Sequence, residues 1–230
     1  MSGQLLPYLL RADWMITTTL FLCLIWVSYV LSHGRKRLLQ QLNSFISHRD
    51  RGSLFDEVTS TEVSHTFILM LHSCIVIGML IYHYYSCVQP ELFQLYSHAL
   101  LLGGYVAGVF ILFLLKCLAY AFVNWIFFDK YQNSIWISSY YNVIVWQGLL
   151  LLPVLLLVVY FDLPLTIELI SVCFIFLLIK ISLFFKCFSN FFGNFCGVFH
   201  LILYLCGLEI LPDLILWKII ESINDLLLQY

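Results

Sequence analysis

Charge is what this sequence lacks. Only 10% of its 230 residues are Asp, Glu, Lys or Arg, against about 25% in a soluble domain. With 62% hydrophobic residues, there is no polar surface to wrap a water-soluble core, and hydrocarbon must be the solvent for most of the chain. An excess of basic residues is missing too. The net charge of -2 argues against a nucleic-acid partner. Eight cysteines are present, but none form a C-x-x-C pair, which argues against a zinc site or redox dithiol. They lie mostly in apolar runs and read as small packing residues. No G-x-S-x-G, H-E-x-x-H, P-loop or dinucleotide fingerprint occurs, and no matched pair of interrupted half-repeats. Repeats, low-complexity stretches and domain boundaries are also lacking.

What is present is a series of long uncharged runs. The expected fold is all-α, a polytopic transmembrane bundle of six spans plus a C-terminal amphipathic or seventh helix, in one domain over residues 1–230. The expected spans are Trp14 to Leu31, His65 to Cys87, Ser97 to Leu118, Tyr141 to Phe161, Leu165 to Phe185 and Phe191 to Leu208. Each approaches the roughly 20 residues that a helix needs to cross a bilayer. Val88 to Glu91 and Asp162 to Pro164 read as short outer turns. Apolar character after the third span runs on to Phe128, so that helix either tilts or bends along the inner interface. Pro153 falls inside the fourth span and should kink it.

Orientation follows from the basic residues. His33-Gly34-Arg35-Lys36-Arg37, with Arg49 and Arg51, marks residues 33–63 as a cytoplasmic loop and puts the N-terminus outside. Leu38, Leu42, Phe45 and Ile46 recur at helical spacing in it, as in a short helix lying on the inner surface. Lys116, Lys130, Lys180 and Lys186 then also fall on the inner side. Lys116 and Lys180 lie near inner helix ends, where long side chains can snorkel, and receive no role.

The histidines and carboxylates within spans are the chemical candidates. His65, His72 and His83 point in nearly one direction at about 100° per residue. His72 and His200 share a depth on two helices, as axial haem ligands would. No cofactor motif surrounds either, so no cofactor is predicted and haem stays a minor alternative. The rival reading is buried histidine as polar glue between helices. Glu168 stands about one turn inside the outer end of the fifth span. Glu209 falls at the outer rim of the sixth, level with His83 and His98 and able to pair with either, or with Arg11. Depth argues against its pairing with Lys116 or Lys180. Charges inside a membrane are functional candidates by default, and two carboxylates could bind a cation or relay protons; a pair that fixes helix packing is the preferred reading.

Packing and partner surfaces are also marked. Gly104 with Gly108, and Gly193 with Gly197, have G-x-x-x-G spacing, which allows close helix approach. Residues 213–230 form an amphipathic helix. Lys218, Glu221, Ser222, Asp225 and Gln229 make a polar stripe facing a partner or water, opposite Ile215, Leu216, Ile219, Ile220, Ile223, Leu226 and Leu227. Leu208 to Pro212 then becomes a structural corner at the outer side, with Pro212 opening the last helix.

The stretch Phe199 to Pro212, above all Tyr204-Leu205-Cys206-Gly207-Leu208-Glu209-Ile210-Leu211-Pro212, resembles the C-terminal signature of an uncharacterised family of Bacteroidota inner-membrane proteins. The size, the basic loop and the aromatic richness are similar along most of the chain. The resemblance implies a multi-pass protein of a diderm inner membrane, and supplies no activity and no catalytic residues. The expected function is that of a non-enzymatic subunit of a larger inner-membrane complex, for instance in envelope biogenesis or protein export. Its partners would be lipids and other integral-membrane proteins. The alternative is a small transporter or ion-coupled channel using Glu209 and Glu168; a second alternative is a haem-binding membrane protein.

Overall fold

The computed structural model describes residues 13–46, 60–127, 130–191 and 206–229. All secondary structure among them is helical. The elements are α1 (Trp14–Ile46), α2 (Ser60–Val88), α3 (Pro90–Leu95), α4 (His98–Phe127), α5 (Lys130–Phe161) and α6 (Leu165–Phe191). A π-helical turn, Cys206–Ile210, leads into α7 (Leu211–Gln229). Among the described residues four helices are long and apolar enough to cross a membrane: Thr66–Val88, His98–Ile126, Trp136–Phe161 and Leu165–Cys187. Trp14–Val30 is a shorter apolar helix.

Several boundaries differ from expectation. The first helix does not stop at Leu31; it runs on through Gly34 and the basic cluster to Ile46. Arg-Lys-Arg-Leu-Leu-Gln-Gln-Leu after Gly34 is built of good helix formers, and no proline interrupts it. At its other end Asp13 caps the helix, accepting a hydrogen bond from the Met15 amide at 3.0 Å. The turn after Val88 contains a short helix opened by Pro90. The third span is one helix to Phe127. Helix α5 continues through Pro153. The turn between α5 and α6 carries Asp162 at φ 49°, a left-handed conformation that Asp tolerates better than most residues. Most of the expected sixth span, with Gly193, Gly197 and His200, lies outside the described residues.

Burial ranks the helices. The spans in α2 and α5 are 56% and 50% buried, against 22% and 17% for α4 and α6. So α2 and α5 form the centre, with α1 on one side and α4 and α6 flanking the other. Two glycines permit the central contacts. A Cβ at Gly78 would lie 2.6 Å from Val106 Cγ2 of α4, and one at Gly148 would lie 2.1 Å from Ser73 Oγ of α2. By contrast, a Cβ at Gly104 would meet nothing within 4 Å, and one at Gly108 only Leu216 Cδ1 of α7 at 3.8 Å. The G-x-x-x-G face of α4 is therefore no tight crossing.

Helix α7 packs on α4 and reaches α3 with its far end. There Gln89 Nε2 donates to Asp225 Oδ1 at 3.1 Å, and the Tyr96 hydroxyl to the Leu227 carbonyl at 3.2 Å. The Tyr105 hydroxyl donates to Asn224 Oδ1 at 3.2 Å. The other end of α7 begins deep in the bundle, beside the middle of α4 and α6. The last helix thus runs along the bundle from its middle to the α3 end.

Candidate functional site

Four charged side chains meet where α7 begins. Lys116 of α4 and Lys180 of α6 each contact both Glu209 and Asp213. Lys116 Nζ lies 3.0 Å from Glu209 Oε2 and 2.7 Å from Asp213 Oδ1. Lys180 Nζ donates to the same Glu209 Oε2 and, at 2.9 Å, to Asp213 Oδ2. The Tyr120 hydroxyl donates to the other Glu209 oxygen at 2.6 Å. The result is a closed ring of alternating charge, Lys116–Glu209–Lys180–Asp213, with zero net charge.

The local sequence explains the geometry. Glu209 and Asp213 are four residues apart, so along a helix they project from one face. The π turn and Pro212 fall between and beside them. A π turn is a rare element often found at functional positions, and Pro212 is tolerated because it sits in the first turn of α7. The two lysines come from parallel helices that both descend from the α3 end. Lys180 lies fifteen residues into α6, about 22 Å along its axis, with Phe191 about 16 Å further on. The ring is therefore well inside the spans, nearer the end of the bundle opposite α3.

This corrects the placement of Glu209. It is 3% exposed and paired with the very lysines from which depth was expected to separate it. The expectation treated residues 191–208 as a full crossing. Along α6, Phe191 lies only about 16 Å of helix rise beyond Lys180 of the ring, so Glu209 stands within the spans and not at the α3 rim. Cys206 to Ile210 is a π turn that runs without a break into α7, inside the bundle and not at its outer side. The lysines do not snorkel: the Lys116 side chain is 7% exposed and that of Lys180 26%. A signal for Lys116 was present, since it interrupts an otherwise uncharged run from residue 92 to 128 and stands far from either end.

The other candidates separate into places. His83 Nδ1 and Glu168 Oε2 form a buried pair at 2.6 Å, close to the α3 end. His98 Nδ1 shares a 2.8 Å hydrogen bond with the Tyr82 hydroxyl. Neither histidine meets Glu209. His72 is fully buried, and both ring nitrogens lack a hydrogen-bond partner among the described residues. Its suggested haem partner His200, and Arg11, lie outside those residues. No group of three or more His, Cys, Asp or Glu among the described residues is placed to hold a metal.

On α7 the stripe residues Lys218 and Ser222 are exposed and Glu221 is half-buried, with Lys218 Nζ 2.7 Å from Glu221 Oε2, whereas Asp225 turns to Gln89 of the bundle. Bundle contact rests on a narrower line than the pattern suggested: Ile220 and Asn224 are buried, whereas Ile215, Ile219, Ile223 and Leu226 are exposed.

A cavity of about 280 Å³ links the ring to Glu168. It lies among α2, α4, α5, α6 and α7, with walls that include Leu80, Val109, Leu151, Val172 and Phe176. Lys116, Lys180, Glu209 and Asp213 close one end, and Glu168 lines the other.

The family follows from the whole chain rather than from this site. Residues 16–220 match the family described as Domain of unknown function (DUF4271). The chain belongs to that family. The match spans α1 to the middle of α7, so ring, cavity and His83–Glu168 pair all fall within the family's domain. No curated protein and no solved structure matches the chain.

Proposed function

We infer that this protein is a small ion-coupled membrane transporter of the non-enzymatic kind, with protons as the coupling ion and an anion as the substrate. The observation that carries the reading is the neutral ring of two lysines and two carboxylates at the end of an apolar cavity. Ionisable groups inside a membrane are costly and mark ion and proton paths. Transporter sites also tend to lie within the bilayer where a helix is irregular, as at the π turn. Protonating Glu209 or Asp213 gives the ring a net charge of +1, which favours an anion in the cavity. Losing the proton restores neutrality and releases the anion. Binding of proton and anion is then reciprocally coupled. The Glu168–His83 pair supplies a second protonatable station near the α3 end.

The proposed setting is the inner membrane of a diderm bacterium of the Bacteroidota type, with the α3 end and N-terminus outside and residues 33–63 in the cytoplasm. The basic cluster 33–37 supports it.

The test is charge movement in proteoliposomes on a solid-supported membrane. An acid step should give a transient current in the wild type, because the ring lies within the membrane field. Lys116→Met/Glu209→Gln removes one acid and one base and leaves Lys180 paired with Asp213. It should elute from a sizing column as the wild type does and give a current cut to a minor fraction of the wild type's, carried by Asp213 alone. Equal currents in both proteins, or none in the wild type, overturn the reading.

The reading as a subunit of a larger complex, in envelope biogenesis or export, keeps one specific support. Lys218 is 78% exposed beside Glu221, about 7 Å along α7 from Asp213. At that depth hydrocarbon is a poor neighbour for charge, and a partner protein would cover the stripe. Purification from native membrane should then recover a stoichiometric integral-membrane partner that Lys218→Glu releases; a lone protein would remove this reading.

A further inference from the structure

We propose that the cavity receives a single-chain amphiphile with an anionic oxygen head, a carboxylate or a phosphate monoester, and that this is the transported anion. The proposal rests on the reading of the ring as a coupling site and names its substrate class.

Size comes first. A cavity of 280 Å³ is many times the roughly 10–15 Å³ that one water needs. Its walls are aliphatic and aromatic, including Leu80, Val109, Leu112, Leu151, Val172 and Phe176. Such walls offer nothing to an inorganic ion. They suit a hydrocarbon chain, which gains by leaving polar surroundings. Glu168 and Lys180, which line opposite ends, are twelve residues apart on α6, about 18 Å of helix rise, so the space is elongated.

The head follows from donor counting. An ammonium group has three N–H donors and no acceptor. Lys180 gives two to the carboxylates of the ring, and Lys116 gives one to Glu209 with Asp213 beside it as an ion-pair partner. Each therefore keeps at least one, and both lysines line the cavity. Two ammonium groups converging from α4 and α6 match a head with two or more acceptor oxygens. A quaternary ammonium head has no oxygen to accept from either lysine.

The entry route is lateral. Helices α6 and α7 face each other across the cavity with little direct packing. Leu169 of α6 and Trp217 of α7 both line the cavity and are 40% and 39% exposed. Between them the cavity reaches the surface that lipid would cover. A chain could slide in from the bilayer without leaving an apolar medium, head first towards the ring.

The experiment is photo-crosslinking on the full chain in nanodiscs. Three probes share one diazirine-bearing alkyl chain and differ in the head: carboxylate, phosphate monoester or trimethylammonium. The acidic probes should label peptides covering residues 168–180 and 213–220, about tenfold more than the cationic probe, the margin of one charge-assisted contact. Val172→Trp, which fills the cavity away from the ring, should remove that labelling. A second blocked variant, Val109→Phe, covers the case in which the first fails to fold. Equal labelling by all three heads, or labelling confined to the outward faces of α4 and α6, overturns the proposal. Labelling by one acidic head alone supports it and fixes the head. The outcomes separate from those of the parent reading. Specific labelling without a pH-driven current leaves an amphiphile-binding protein and retires transport. Current without labelling keeps transport and retires the amphiphile.

Discussion

Gly148 of α5 sits against Ser73 of α2 with no room for one more carbon. Ser73 Oγ donates to the Ile144 carbonyl across the same seam at 3.0 Å, and a Cβ on Gly148 would lie 2.1 Å from that oxygen. Gly148→Ala should therefore cost about 1–3 kcal/mol by forcing the helices apart. Gly104→Ala, with nothing within 4 Å, should be neutral or slightly favourable. Thermal unfolding in one detergent compares the two. A larger loss at Gly104 would mean that the exposed face of α4 is closely covered in the native membrane.

The ring predicts strong coupling. Removing one member of a buried ion pair leaves its partner uncompensated, at about 3–5 kcal/mol. Lys116→Met and Glu209→Gln should each approach that loss, since both side chains are nearly fully buried. The double variant should lose less than the sum of the two, by about 0.5–3 kcal/mol. Additive losses in a double-mutant cycle would show that the two residues do not share a bond.

Asp213 should behave more mildly. Its side chain is 29% exposed against 4% for Glu209, and the Tyr120 hydroxyl bonds Glu209 instead, so Asn removes less. Asp213→Asn should stay folded and lower pH-driven current more than it lowers the unfolding temperature. If stability falls as far as in Glu209→Gln, the two carboxylates are equivalent in the native bilayer.

His72 gives a prediction of opposite sign. A buried polar group without a partner costs about 1–3 kcal/mol, so His72→Leu should leave stability unchanged or raise it. A marked loss would reveal a partner in residues 192–205 or a bound group. A reduced-minus-oxidised absorbance spectrum of the purified protein tests haem directly; a Soret band lost in His72→Leu would make His72 a ligand.

Much of the bundle was legible because punctuation is local. Asp162 and Pro164 stop one apolar run and start the next, and α5 and α6 end and begin there. The Val88 to Glu91 turn was found the same way, though not the short helix inside it. Glu168 was placed near the correct end, but its partner His83 is on another helix, and spacing along one chain does not report which helices touch. The ring was hidden for a different reason. Hydropathy records that residues 187–208 are apolar, not whether they traverse the bilayer or stop partway. Once Glu209 was carried to the wrong rim, Lys116 and Lys180 had no partner at their level. Glycine spacing misled in a similar way. Gly104 and Gly108 have the recognised pattern, yet the close approaches fall at Gly78 and Gly148, whose neighbours come from other helices.

The ring also bears on the order in which the protein can be assembled. Lys116 and Lys180 are synthesised long before Glu209 and Asp213. Until the last segment arrives, α4 and α6 present two like charges to each other within an apolar medium. That repulsion should hold them apart, as an open cleft or in the keeping of an insertion factor. The C-terminal segment then acts as a clasp: its two carboxylates neutralise both lysines at once and let the flanking helices settle. A chain cut before Cys206 should insert its earlier helices and still be cleared by membrane proteases, because it carries two positive charges with nothing to answer them.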